Sequence, residues 1–188
     1  MEKSVIEKLN EARHCILSKH NHQPVIGVTL GSGLSSFGDR IESAVEIAYS
    51  EIPFFAPPTV DGHPGKLILG KIGSVPIAVL QGRIHYYEGH SLEDVVFPTR
   101  LLKWLGSKLL ILTNAAGGLH TALTPGDFMV IRNHINFTGH NPLRGANIAE
   151  FGPRFPDMSE PYSKRFSDLL VEVLAERKLP FREGVYCG

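Results

Sequence analysis

VIGVTLGSGLSS, residues 25–36, decides how this chain is read. Its first half, VIGVTL, is a short apolar run rich in β-branched residues. Closed by Gly31, such a run predicts a strand buried on both faces of a sheet. Its second half is a glycine-bearing loop placed where that strand ends. The same arrangement recurs where KLLILTN at 108–114 runs into AAGGL at 115–119, and where VPIAVLQG at 75–82 runs into RIHYYEGH at 83–90.

The rest of the chain fits around these strands as alternating helix and strand. Val5, Ile6, Leu9, Ala12, Ile16 and Leu17 recur at helical spacing and predict an amphipathic helix over 4–19. AVEIAYS at 44–50 predicts a strand, and 66–82 predicts two strands that reverse at Gly73-Ser74. SLEDVVFPTRLLKWLG at 91–106 predicts a helix. Ser91 and Asp94 should cap it as an acidic variant of the capping box, Gly106 should stop it, and Pro98 should kink it or shift its start. KLLILTN is the clearest buried strand, and DFMVIRNHINF at 127–137 predicts another. The Gly-, Pro- and Asn-rich stretch 138–161 predicts a long loop, of a length that is usually functional. Helical spacing returns at 163–178, and REGVYCG at 182–188 reads as a strand beginning to enter the sheet. This order predicts an α/β fold with a mostly parallel central mixed sheet flanked by helices.

Ligands in such sheets bind beyond the carboxyl ends of the strands. Ser32, Arg83 and Asn114 each follow a predicted strand end, so three separate segments should meet at one crevice. The inventory there suits an oxyanion. Gly31, Gly33, Gly117 and Gly118 permit close approach, with positive φ where needed. Successive N–H groups form an anion-binding concavity, and Arg83 supplies a guanidinium fork suited to phosphate.

Singly, each signal has a plainer meaning. A glycine pair after a strand is a tight turn, an isolated histidine such as His63 or His85 donates to backbone, and Tyr86, Tyr87 and Phe155 pack. Convergence is what sets them apart. GSGLSS also imitates a dinucleotide fingerprint, with Glu51 about 20 residues downstream. Ser36 replaces the third glycine, however, and the span from Ser36 to Ala44 is too short for a parallel crossover.

Composition excludes other classes. In 188 residues, 19 Lys and Arg balance 19 Asp and Glu, so no field gathers nucleic acid or an anionic membrane. No apolar run approaches the length of a membrane span. Only Cys15 and Cys187 are present, and MEKSVIEKLN lacks an apolar signal core, which predicts a cytoplasmic protein. The histidines form no ligand-like group with Cys or Asp, so no metal site is read. At this length one domain over 1–188 is expected.

GSGLSS, PPTVDGHPGKL at 57–67, GRIHYYEGH, FPTRLLKWLG at 97–106, TNAAGGL, RNHINFTGHNPLRG at 132–145 and FGPRFPDMSEPY at 151–162 together resemble the trimeric purine nucleoside phosphorylases. They occur in that family's order and spacing. The resemblance implies phosphorolysis of a purine nucleoside to free base and pentose 1-phosphate. It implies phosphate as co-substrate, no metal or organic cofactor, and a homotrimer. Its phosphate site falls on Ser32, Arg83, His85 and the backbone N–H of Ala115. His63 matches a histidine of the loop near phosphate, and with His85 is assigned the catalytic duty. Tyr87 matches a ribose contact, Ala115, Ala116 and Gly117 line the nucleoside pocket, and Phe155 reaches from one subunit into its neighbour's sugar site. Tyr186 matches a residue near the base pocket, and Glu88 organises its loop.

The family continues beyond EGVYCG through segments that carry its base-binding glutamate and purine-selecting asparagine. The chain is accordingly expected to be the N-terminal part of a longer phosphorylase domain. An opposing expectation is a phosphate- or nucleoside-binding module, or an inert fragment, built on the same half-site.

Overall fold

The computed structural model describes residues 3–21, 23–31, 33–56 and 65–188. The chain divides into two compact units, Met1–Ala115 and Ala116–Gly188.

The first unit is built on a five-stranded mixed sheet. Its strands are β1 (Ile26–Leu30), β2 (Glu42–Ala48), β3 (Lys66–Ile72), β4 (Val75–Gln81) and β5 (Leu109–Leu112), in the order β2-β3-β4-β1-β5. β1 runs parallel to β4 and β5, whereas β2-β3 and β3-β4 are antiparallel. The reversal at Gly73-Ser74 joins β3 to β4 as expected, with Gly73 at φ 57°. β2 lies at the far edge from β1, so no crossover links them. Glu51 accepts from Lys19 and from the backbone N–H of Ala48, a structural role far from a dinucleotide ribose.

Period-2 alternation divides the sheet's side chains between two cores. Leu67, Leu69, Ala78 and Leu80 pack on one face with Leu9, Ala12 and Ile16 of α1 (Val5–Lys19) and with Phe97, Leu101 and Leu102 of α2 (Leu92–Trp104). Val28, Leu30, Ile68, Ile77 and Val79 pack on the other, with Ile41 and Phe37. Gly27 is what lets α2 lie against β1. A Cβ there would come within 2.8 Å of Leu110 and 3.1 Å of Leu102.

Both helices start as their sequences ask. Ser4 caps α1 in a reciprocal capping box with Glu7. At α2, Ser91 Oγ accepts from the Asp94 N–H at 3.1 Å, but Asp94 returns its carboxylate to the Ser91 hydroxyl rather than to the backbone, so the box is incomplete. Pro98 sits inside α2 without interrupting it.

β5 departs from its expectation. It is an edge strand paired only with β1, and Ile111 and Leu112 are 43% and 54% exposed. Apolar composition reports what a strand could bury, and here one edge has no partner strand among the described residues.

The second unit holds β6 (Phe128–Ile135), α3 (Lys164–Glu176) and β7 (Phe181–Cys187). β6 and β7 form their own two-stranded parallel sheet, in which His134 pairs with Tyr186. α3 packs Leu174 inward and crosses as the connection that a parallel pair requires. The β7 segment pairs with β6 from Phe181 to Cys187. The loop between β6 and α3 carries one short helical turn at Ala149–Phe151 and is tied by Arg154, which donates to the carbonyls of Leu143 and Gly145.

Candidate functional site

Three strand ends of the first unit converge as the sequence predicts. β1 ends at Leu30 and leads into Gly31, β5 runs into Thr113 and Asn114, and β4 leads through Gly82 to Arg83. The Thr113 hydroxyl accepts from the Gly31 N–H at 2.7 Å and donates to the Thr29 carbonyl at 3.0 Å. The carbonyl of the same residue accepts from Nη1 of Arg83 at 3.0 Å. One threonine therefore touches all three segments.

Glycine matters here mainly for closeness. A Cβ on Gly31 would lie 3.0 Å from Asn114 Cα and from the Thr113 carbonyl oxygen, so only glycine lets the two loops meet. Positive φ occurs at Gly33, at 84°, where Leu34 N–H closes a turn onto the Gly31 carbonyl. Gly31, Gly117 and Gly118 do not have positive φ.

The turn is also held from below. Gln81, the last residue of β4 and only 6% exposed, donates from Nε2 to the Ser35 carbonyl at 2.8 Å. Its Oε1 is buried with no hydrogen-bond partner among the described residues.

After Gly82, whose φ of 101° turns the chain out of β4, the backbone enters the His85 loop. The Gly82 carbonyl accepts from the buried Tyr49 hydroxyl at 2.7 Å, and burial pushes that phenol far up from its ordinary range. Oε1 of Glu88 lies 2.7 Å from both the backbone N and the Nδ1 of His85. The Glu88 side chain is 3% exposed, so this carboxylate is spent inside the loop. The His85 ring stacks on Tyr87 at 4.8 Å between centroids, with 15° between planes. Tyr87 itself is 75% exposed.

Arg83, His85, Tyr87 and Ala115 thus stand in the first unit, at the carboxyl side of its parallel strands. Ser32 and His63 lie outside the described residues, as does most of the 57–67 segment. Ala116, Gly117, Phe155 and Tyr186 belong to the second unit, with Phe155 87% exposed and Tyr186 on β7. There the Tyr162 hydroxyl meets Nδ1 of His134 at 3.2 Å.

Sequence reasoning missed Thr113 and Gln81. Each is a polar residue closing an apolar strand directly before a glycine-bearing loop, and that position was the available signal. Among the described residues no group of three His, Cys, Asp or Glu is placed to hold a metal ion.

This site and sheet define a class. The family model described as the phosphorylase superfamily matches residues 25–188, and the chain belongs to that family. Its relatives there are purine nucleoside phosphorylases. Purine nucleoside phosphorylase 1 of Geobacillus stearothermophilus is 48% identical over 186 residues, 99% of this chain and 67% of the relative. The Bacillus subtilis protein of the same name is 46% identical, over 96% of this chain and 66% of its own length. The purine nucleoside phosphorylase of Bos taurus is 42% identical over 84% of this chain and 56% of its own. A crystal structure of Schistosoma mansoni purine nucleoside phosphorylase in complex with inosine superposes with a TM-score of 0.90 at 38% identity, covering 97% of this chain and 65% of that one. The chain thus spans between about half and two thirds of the length of these relatives.

Proposed function

We propose that the protein is a pentosyltransferase of the purine nucleoside phosphorylase type, acting in purine salvage in the cytoplasm. It would cleave purine ribo- and deoxyribonucleosides with inorganic phosphate, which serves as co-substrate without metal or organic cofactor. The observation that carries this reading is the meeting of Gly31, Thr113 and Arg83, three strand ends joined around one potential anion site. The names of the relatives and the inosine complex of a structural neighbour support the nucleoside half.

In the reaction the glycosidic C–N bond breaks and its electron pair passes to the purine, while a phosphate oxygen forms a new bond to the anomeric carbon. Positive charge develops on the sugar in between. A phosphate dianion fixed on the sugar's far face is nucleophile and counter-charge together, which is where orientation and electrostatics supply most of the rate. Arg83, His85, Ser32 and the Ala115 N–H are proposed to hold it, with His63 closing from its loop. Tyr87, Ala115, Ala116 and Gly117 are proposed to line the nucleoside pocket, with Tyr186 towards the base. The leaving purine needs a hydrogen bond or proton at its nitrogen.

Phe155 is proposed to serve a neighbouring subunit of a homotrimer, and residues 1–188 to form part of one phosphorylase-type domain. Continuity of the family match over 25–188 supports the latter.

The test is incubation with inosine, guanosine or adenosine, with and without phosphate, following base and sugar products. Base release that requires phosphate and yields pentose 1-phosphate in equal amount is expected. Release without phosphate, or free pentose as product, would contradict the reading. Phosphate binding without base release would instead favour a binding module.

A further inference from the structure

We propose that Thr113 is a positioning residue that builds the anion cradle before the anion arrives, setting the Gly31 turn and the Arg83 guanidinium in one register. The inference rests on the phosphate reading of this site and adds to it a residue that touches no substrate.

Three bonds carry it. The hydroxyl's proton is used within the protein: it donates to the Thr29 carbonyl at 3.0 Å while the oxygen accepts from Gly31 at 2.7 Å. It therefore has no proton left for a ligand. The carbonyl of the same residue takes a guanidinium N–H of Arg83 at 3.0 Å, which ties the side chain to the end of β5. Separately, the Thr113 N–H donates to the Thr29 carbonyl at 3.1 Å, continuing the parallel ladder beyond β5. Backbone pairing thus fixes where Thr113 stands, and its side chain transmits that position to the glycine turn.

A consequence follows for the N–H inventory. The Gly31 amide is consumed by Thr113 and is not a phosphate donor, which leaves Arg83 as the cradle's donor that Thr113 holds directly. A Cβ on Gly31 would lie 3.0 Å from Asn114 Cα, so the two strand ends are in close contact at this point.

Thr113→Val separates the roles. It keeps β-branching and volume and retains the backbone bond to Thr29, but it leaves the Gly31 N–H without an acceptor. Thr113→Ser restores the hydroxyl. Titrating the full chain with inorganic phosphate and, separately, with inosine reads the effect. Thr113→Val should weaken phosphate about tenfold, the scale of one lost buried hydrogen bond, and Thr113→Ser should recover most of it. Inosine affinity should change less than about twofold in both, since no nucleoside-side group is disturbed.

An unchanged phosphate affinity in folded Thr113→Val, beside a saturable wild type, overturns the positioning role alone. A wild type that does not take up phosphate overturns the phosphate reading and this inference with it. Hydrogen exchange in the unmutated chain gives a second readout that does not depend on the variant's folding. The Gly31 amide should be protected equally with and without phosphate. Protection that appears only on adding phosphate would overturn preorganisation.

Discussion

The carboxylate of Glu88 grips His85 twice, with one oxygen 2.7 Å from its backbone nitrogen and 2.7 Å from Nδ1. A loop of four residues is thereby closed by a nearly buried acid, and the ring's orientation is decided within the loop itself. Glu88→Gln keeps the shape but replaces a charged acceptor by a neutral one. Because charge-assisted bonds exceed neutral ones by roughly 1 kcal/mol, phosphate affinity should fall about five- to tenfold. Steady-state kinetics with phosphate as the varied substrate, or direct phosphate titration, checks this. An affinity equal to wild type would mean that His85 is held by other contacts.

Packing around the glycines gives a contrast free of ligand. A Cβ at Gly70 would lie 2.5 Å from Ile41 Cγ2 and 2.7 Å from the Glu42 carbonyl oxygen, whereas at Gly117 it meets nothing within 4 Å. Gly70→Ala should destabilise the first unit by about 1–3 kcal/mol, the usual cost of overpacking. Gly117→Ala should change stability by less than about 0.5 kcal/mol. Denaturant melts of the two variants compare them directly.

The helix start at Ser4 predicts an acid dependence. Hydrogen bonds from the Ser4 backbone and hydroxyl hold the Glu7 carboxyl below its ordinary value of 4.5. A depressed folded value means the carboxylate stabilises above 4.5 and stops doing so as pH falls through the lower folded value. The stability difference between wild type and Glu7→Gln should therefore be present at neutral pH and shrink in acid. A difference that stayed constant across that window would assign it to shape rather than charge.

Phe155 tests the assembly. At 87% exposure an aromatic ring of this size has little to do within its own unit. If it completes a neighbour's sugar site, mixing Phe155→Ala chains with Arg83→Ala chains should restore activity in hybrid trimers, because some sites then lack neither group. Hybrids verified by mass that regain nothing would place Phe155 outside the site.

Much of this was legible in the sequence, because the informative signals are local. The apolar run 25–30 closed by Gly31, the reversal at Gly73-Ser74 and the Ser91 cap are each decided within a few residues, and each appears where its chemistry puts it. That the strand ends leading to Ser32, Arg83 and Asn114 lie together was legible for a topological reason, since parallel strands end on the same side; Ser32 itself lies outside the described residues. What failed to show was partnership at a distance. KLLILTN looked buried because its residues are apolar, yet β5 stands at an edge. The bond from Gly31 to Thr113 spans 82 positions, and no periodicity announces it. Pro98 lies inside α2, which runs from Leu92 to Trp104 without a break.

The most direct test of the whole account is phosphate binding by this chain beside its Arg83→Ala variant, measured by titration calorimetry with inorganic phosphate. A guanidinium fixed to the Thr113 carbonyl at 3.0 Å and half-buried at a strand end is expected to contribute about 1.5–3 kcal/mol to a bound dianion. Wild type should bind one phosphate per site, and Arg83→Ala should bind it at least tenfold more weakly while keeping its fold. Equal binding by the two proteins, or none by the wild type, would contradict the claim that these three strand ends form a phosphate site.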